Sequence, residues 1–228
     1  MSDTTHHQKK NETKKAQDNL DKGYWYLAYP EFWNIFENMP RDTHILDVGC
    51  GSGIVADTLS GRGFNHIVTS DIFDYRTYER VKKMPFAAVN LNFDTLPFAD
   101  ATYDVVIAAN LIEHLENPFF FLRECRRVLK PGGVLVLTMY VGWNWMSRFL
   151  FLRTARVEGF HNPKAHISFL PPNIFRYATR GFSLKSVFYE RRTTFYIFGY
   201  AIPWRFPRTV RWSPQAGFVF EKMTHDQS

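Results

Sequence analysis

Residues 45–56 read ILDVGCGSGIVA, and this stretch limits the fold more than any other. An apolar run closes on an acid, Asp47. Glycines follow at alternate positions, Gly49, Gly51 and Gly53, and an apolar run then resumes. The order predicts a strand, a tight turn and a helix. Glycine reaches positive φ without penalty and leaves no Cβ in the way of a ligand. The helix behind the turn offers unpaired N–H groups and the positive end of its dipole. A small-molecule cradle at the carboxyl end of a first parallel strand is therefore expected. A dinucleotide fingerprint would place a third Gly or Ala one position further on, where Ile54 stands, and a phosphate loop would need a Lys-Ser/Thr pair that is missing.

Further along, residues 66–71 read HIVTSD. They form a second strand ending in Asp71, about twenty residues past the turn, where a carboxylate can accept hydrogen bonds from both hydroxyls of a ribose. Residues 75–83 read as helix and residues 86–89 as a third strand. Residues 104–109 are almost continuously apolar, as a strand covered on both faces should be. Asn117-Pro118 supplies a helix cap and first residue, residues 134–140 a fifth strand, and residues 182–190 and 215–222 the last two.

Three blocks in order carry a resemblance: DVGCGSG, then LPFADATYDVVIAANLIEHL, then RVLKPGGVLVLT. Together they resemble the class I S-adenosylmethionine-dependent methyltransferases over roughly residues 40–138. The resemblance implies a Rossmann-like α/β fold: a seven-stranded mixed sheet with its last strand antiparallel, in a three-layer α/β/α arrangement with helices on both faces. It implies S-adenosyl-L-methionine as cofactor and S-adenosyl-L-homocysteine as product. Asp47, Gly49, Cys50, Gly51 and Gly53 would pass under the methionine end, Asp71 would hold the ribose, and Ile72 would line the adenine pocket. The family often has an Asp at the adenine amino group; here Asn90 and Asn92 are the candidates for its place, and Asn92, with Phe93, is chosen. Asn110 and Leu111 would face the transferring methyl.

On the acceptor side the same resemblance marks His114 as a candidate general base, since an unperturbed imidazole titrates near neutrality. Helix packing is the other role open to it. Tyr24, Tyr26, Tyr140 and His166 are further substrate-side candidates. No metal-ligand spacing is present, so no metal is expected.

Charge divides unevenly. Residues 1–139 carry −3, whereas residues 140–228 carry +9 of the total +6. An acidic partner or an anionic membrane surface should therefore meet the later half. Residues 142–156 mix Trp143, Trp145, Met146, Phe149, Leu150, Phe151 and Leu152 with Arg148, Arg153 and Arg156, a composition for a membrane-surface helix, a cover over an apolar substrate, or a core helix. A basic, aromatic insertion spans 191–214. Residues 1–19 are polar and Lys-rich and are expected to be a disordered tail, ahead of one domain over 20–228 with a cofactor-binding core at 40–139. Two cysteines and a polar start predict a reducing, cytoplasmic setting.

Three functions remain open from the sequence. The first is methyl transfer to a small-molecule, lipid or glycan-intermediate acceptor, at the membrane periphery or away from it. The second is transfer to tRNA or protein through the basic half; base N-methylation is weakened, because Asn110-Leu111-Ile112 replaces the family's Asn/Asp-Pro-Pro-aromatic motif. The third is a fold retained for binding alone, which the intact glycines and Asp71 oppose.

Overall fold

A computed structural model describes residues 24–157, 166–191, 194–197, 200–203 and 207–224. The chain forms two compact units divided between Met39 and Pro40. In the first, a 3₁₀ turn at Trp25–Ala28 leads into helix α1, Pro30–Glu37. Phe32 and Phe36 lie one turn apart on α1, and both are buried. The indole N–H of Trp33 donates to the carbonyl of Leu27 at 3.0 Å, and the Phe32 ring packs on Tyr26 with centroids 5.0 Å apart.

The second unit is built on strands β1 (His44–Val48), β2 (His66–Asp71), β3 (Phe86–Ala88), β4 (Tyr103–Ala109), β5 (Leu129–Tyr140), β6 (Phe182–Tyr189), β7 (Thr194–Ile197), β8 (Tyr200–Pro203) and β9 (Gln215–Lys222). Seven of them form one sheet in the order β3-β2-β1-β4-β5-β9-β6. β1 pairs in parallel with β2 and β4, while β9 runs antiparallel to both β5 and β6. This is the expected mixed sheet with its antiparallel last strand. The order reverses at β1, so ligands should gather above the carboxyl ends of β1 and β4. β1 and β4 are buried along nearly their whole length, which explains why they are mostly apolar apart from His44, Asp47 and Asp104.

Helices α2 (Ile54–Gly61), α3 (Glu79–Lys82), α4 (Pro118–Val128), α5 (Trp145–Thr154) and α6 (Pro172–Ala178) connect these strands. Asn117 caps α4, its side chain accepting from Phe120 N at 3.1 Å. Arg127 of α4 donates to the carbonyls of Leu96 and Phe98, while Glu124 accepts from Leu96 N at 2.8 Å. The Leu96-Pro97-Phe98 block is thus a structural clamp on the loop before β4.

Some expectations need correcting. The helix expected over 75–83 shortens to α3. Arg76 is buried instead, donating to Thr69 Oγ1 and to the carbonyls of Val81 and Met84, with Asp74 paired to it at 2.8 Å. Those bonds fix 72–78 as an irregular loop. The fifth strand starts earlier than expected, at Leu129. The Pro131-Gly132-Gly133 turn bulges out of it, and the pairing jumps from Tyr103↔Leu129 to Val105↔Val134. Inside the 191–214 insertion, β7 and β8 form an antiparallel hairpin. Arg192 and Arg205 of that insertion, and the tail at 1–19, lie outside the described residues. No helix among the described residues is long and apolar enough to cross a membrane.

Candidate functional site

The carboxyl end of β1 opens into a turn in which Gly49, Gly51 and Gly53 all have positive φ, +68°, +51° and +82°. At Gly49 the need for glycine is double. A Cβ there would lie 2.8 Å from Leu111 Cδ1, besides being strained by the left-handed backbone. The turn is tied to β2, since the N–H groups of Gly49 and Cys50 both donate to the Ser70 carbonyl, at 2.8 and 3.1 Å.

Asp71 closes the other side. Its Oδ2 accepts from Gly51 N at 2.8 Å and its Oδ1 from Ile72 N at 2.7 Å. An ionised carboxylate has about four acceptor sites, so two remain for a sugar diol. Sequence places Asp71 twenty residues downstream of the turn; the fold brings it into direct contact with the turn's backbone. Thr77 N also donates to Ser52 O at 3.0 Å, which fastens the loop after β2 to the same turn.

Asp47 lies beneath the turn and is buried. It accepts from the Ala56 backbone, yet its Oδ2 has no hydrogen-bond partner among the described residues. Burial, reinforced by the negative charge of Asp71, pushes its pKa up to about 7. A buried acceptor without a partner is costly and calls for a donor or cation from outside the protein. Cys50 beside it is a buried thiol whose pKa is pushed up by burial and by Asp47 and Asp71, so it is a lining group and not a nucleophile.

Of the base-side candidates, Ile72 follows β2, while Asn92 and Phe93 sit on the turn after β3. Val89 N donates to Asp71 O at 2.9 Å, which holds that turn beside Asp71. Ile72 and Phe93 are exposed, Phe93 to 73%. Asn92 is half-buried, and its Oδ1 already accepts from Glu116 N at 2.8 Å, leaving one lone pair for a ligand. Asn90 is spent on the turn itself, its Oδ1 accepting from Asn92 N.

At the carboxyl end of β4, Asn110 adopts φ +49°, an uncommon conformation for a residue with a side chain. Thr138 of β5 holds it there. The Thr138 carbonyl and hydroxyl both accept from Asn110 N, and the hydroxyl donates to Asn110 Oδ1 at 2.9 Å. Leu111 follows and packs over Gly49. A 3₁₀ turn, Ile112–His114, comes next.

Three candidates that are remote in the chain come together here. The rings of His114 and His166 lie with centroids 4.9 Å apart, and those of Tyr140 and His166 5.4 Å apart. The docking of 166–168 explains this. Ile167 N and Ser168 N donate to Glu113 O at 2.9 and 3.0 Å, and the Ser168 hydroxyl donates to Leu115 O. Glu113 is the residue sequence reasoning passed over. It is buried, its Oε1 accepts from Tyr140 N at 3.1 Å, and its Oε2 has no partner among the described residues. Burial pushes its pKa up to about 7. The available signal was an acid set between apolar Ile112 and the His114 imidazole. Tyr24 and Tyr26 belong to the N-terminal unit, where Tyr26 is buried and their rings meet edge-to-face at 6.4 Å.

The residues fit a sulfonium nucleoside. Asp71 has spare acceptor sites, and Asp47 keeps an unpaired buried oxygen for positive charge. Comparison with known proteins agrees. Residues 46–137 match the family described as the methyltransferase domain. A protein of Mycolicibacterium smegmatis named as an S-adenosylmethionine-dependent methyltransferase is 30% identical over 121 residues, 52% of this chain and 46% of that one. A ubiquinone biosynthesis O-methyltransferase of Rickettsia conorii is 33% identical over 110 residues, 45% of this chain and 38% of that one. The chain thus spans less than half the length of these curated relatives. Among solved structures, an S-adenosylmethionine-dependent methyltransferase from Methanosarcina mazei shares the fold, with a TM-score of 0.59 at 20% identity, over 86% of this chain and 99% of that one. With the glycine turn, the placement of Asp71 and the strand order in agreement, residues 46–137 carry a methyltransferase domain of the class I S-adenosylmethionine-dependent type.

Proposed function

We propose that the protein methylates a hydroxyl group of a small apolar or amphipathic acceptor, using S-adenosylmethionine. One observation carries this reading: a polar cluster of Glu113, His114, Tyr140 and His166 stands one turn beyond Leu111, which itself covers Gly49. A poorly acidic hydroxyl needs help to lose its proton, whereas an amine or thiol needs less. The name of the Rickettsia relative supports oxygen as the acceptor atom.

The cofactor brings a methyl group on a positively charged sulfur and leaves as a neutral thioether. The chain's own residues do the rest. Asp71 and the Gly51 backbone hold the sugar, and Asp47 answers the positive charge. Asn110, locked by Thr138, sets the floor on which acceptor and donor line up. His114 and His166 receive the hydroxyl's hydrogen, and the nearby Glu113 carboxylate favours the protonated imidazole that results.

Helix α5 supports the amphipathic side of the reading. Only Ser147 of α5 is buried, while Trp145, Phe149 and Phe151 are exposed and Leu152 is 85% exposed, with Arg148 and Arg153 among them. This favours a surface-lying helix over a core one and suits an anionic membrane from which an acceptor would be drawn. Co-sedimentation with anionic vesicles at low salt should retain the protein; none in the pellet would remove the membrane from the account.

Methyl-labelled cofactor offered with matched phenols, alcohols, amines and thiols tests the reaction. Label in O-methyl products is expected. Label confined to amines, thiols or macromolecules would overturn the assignment.

A further inference from the structure

We propose that Glu113, His114 and His166 form a binding site for a divalent transition-metal ion, with zinc as the best-suited occupant. One ligand atom from each residue, a carboxylate oxygen and two imidazole nitrogens, lies within 4.8 Å of the other two. Two His and one Glu with a position left open is a donor set that zinc accepts in catalytic sites.

A second observation points to a ligand. Glu113 is 1% exposed, and its Oε2 has no hydrogen-bond partner among the described residues. Its other oxygen is already fixed by Tyr140 N. A buried, half-satisfied carboxylate beside two imidazoles is stabilised by a cation placed between them. The cluster is also braced for such a role. Glu113 O receives the N–H groups of Ile167 and Ser168, so one residue supplies a donor atom and anchors the segment carrying another. Exposure is graded: Glu113 is buried, His166 half-buried and His114 exposed. An ion would be gripped from below and reached from solvent. Zinc holds such donors at about 2.0–2.2 Å, so the three must draw closer, and rotation of the exposed His114 side chain supplies that movement.

This inference rests on the reading of the cluster as the acceptor side, and with the ion bound it replaces the imidazole base of that reading by the metal. A hydroxyl oxygen in the open position would ionise by coordination, its O–H bond breaking and its proton passing to solvent, while the imidazoles serve as ligands.

The test uses the full chain, stripped of metal by a chelator, in a background where His6 and His7 are Ala so that those adjacent histidines contribute nothing. Titration with Co²⁺ should give one equivalent of binding with the visible absorption of a low-coordinate N/O site, displaced by zinc. H114A, H166A and Glu113→Gln should each weaken cobalt by more than the ~10–100-fold that an outer-shell partner costs. Circular dichroism of H114A and H166A should match the parent. No visible absorption, or saturable binding that H114A and H166A both leave unchanged, overturns the site. Calorimetry with S-adenosylmethionine on the same sample separates the two claims. Cofactor binding without a cobalt spectrum ends the metal site alone, and a cobalt spectrum without cofactor binding ends the methyltransferase reading alone.

Discussion

The two sides of the site are built in different ways. The proposed cofactor side is centred on one short stretch, β1 to α2, tied to the end of β2, and its contacts are mostly backbone: Gly49 and Cys50 to Ser70, Gly51 to Asp71. The acceptor side is gathered from the end of β4, the end of β5 and the segment before α6, and its contacts join side chains to distant backbone: Glu113 to Tyr140, Ser168 to Leu115. A ligand shape shared across a family can be held by backbone geometry that few sequences satisfy. An acceptor that differs between members is better met by side chains on separately variable segments. The two sides should therefore fail separately when mutated.

The largest separation is expected from His166→Ala. It should lower kcat about a thousandfold, within the range general acid–base groups contribute, and leave the cofactor's Kd unchanged; a matching loss of cofactor affinity would merge the two sides. Asp71→Ala should do the reverse, weakening S-adenosylmethionine about a hundredfold in calorimetry, since hydrogen bonds to a charged acceptor contribute about 1.5–3 kcal/mol each. Gly49→Ala forces a side chain into the left-handed region and against Leu111. It should cost about 2 kcal/mol of stability, read as a lower Tm.

The most gradual effect is electrostatic, spread over several pH units. Asp47 has its folded pKa raised to about 7 by burial, so the folded state holds a proton that the unfolded chain has released. Stability of the cofactor-free protein should then fall as pH rises from about 4 to 7, by about 1 kcal/mol per pH unit at the steepest. Asp47→Asn should reduce that slope in denaturant titrations across pH, leaving the part that Glu113, also raised to about 7, contributes. Saturating cofactor should reduce the slope too, if Asp47 meets positive charge.

How far each side was legible in the sequence follows from the same contrast. Gly49, Gly51, Gly53 and Asp71 could be read because turn chemistry and strand ends leave local signatures. The sheet could be read because β1 and β4 are largely apolar, broken only by His44, Asp47 and Asp104. Residues 75–83 misled because Arg76, which reads as an exposed helical residue, is buried against Thr69, Val81 and Met84. Glu113 was passed over because its burial depends on Tyr140 and on residues 167–168, contacts that no local pattern encodes. His114, Tyr140 and His166 were visible one by one, but their assembly depends on the docking of residues 166–168.

The most direct test of the central claim is a crystal structure of the protein with S-adenosylhomocysteine. The account predicts both ribose hydroxyls within hydrogen-bond distance of the Asp71 carboxylate, and the sulfur beside Asn110 and Leu111. A nucleoside bound away from Asp71, or a glycine turn closed over by protein atoms with the ligand elsewhere, would contradict it.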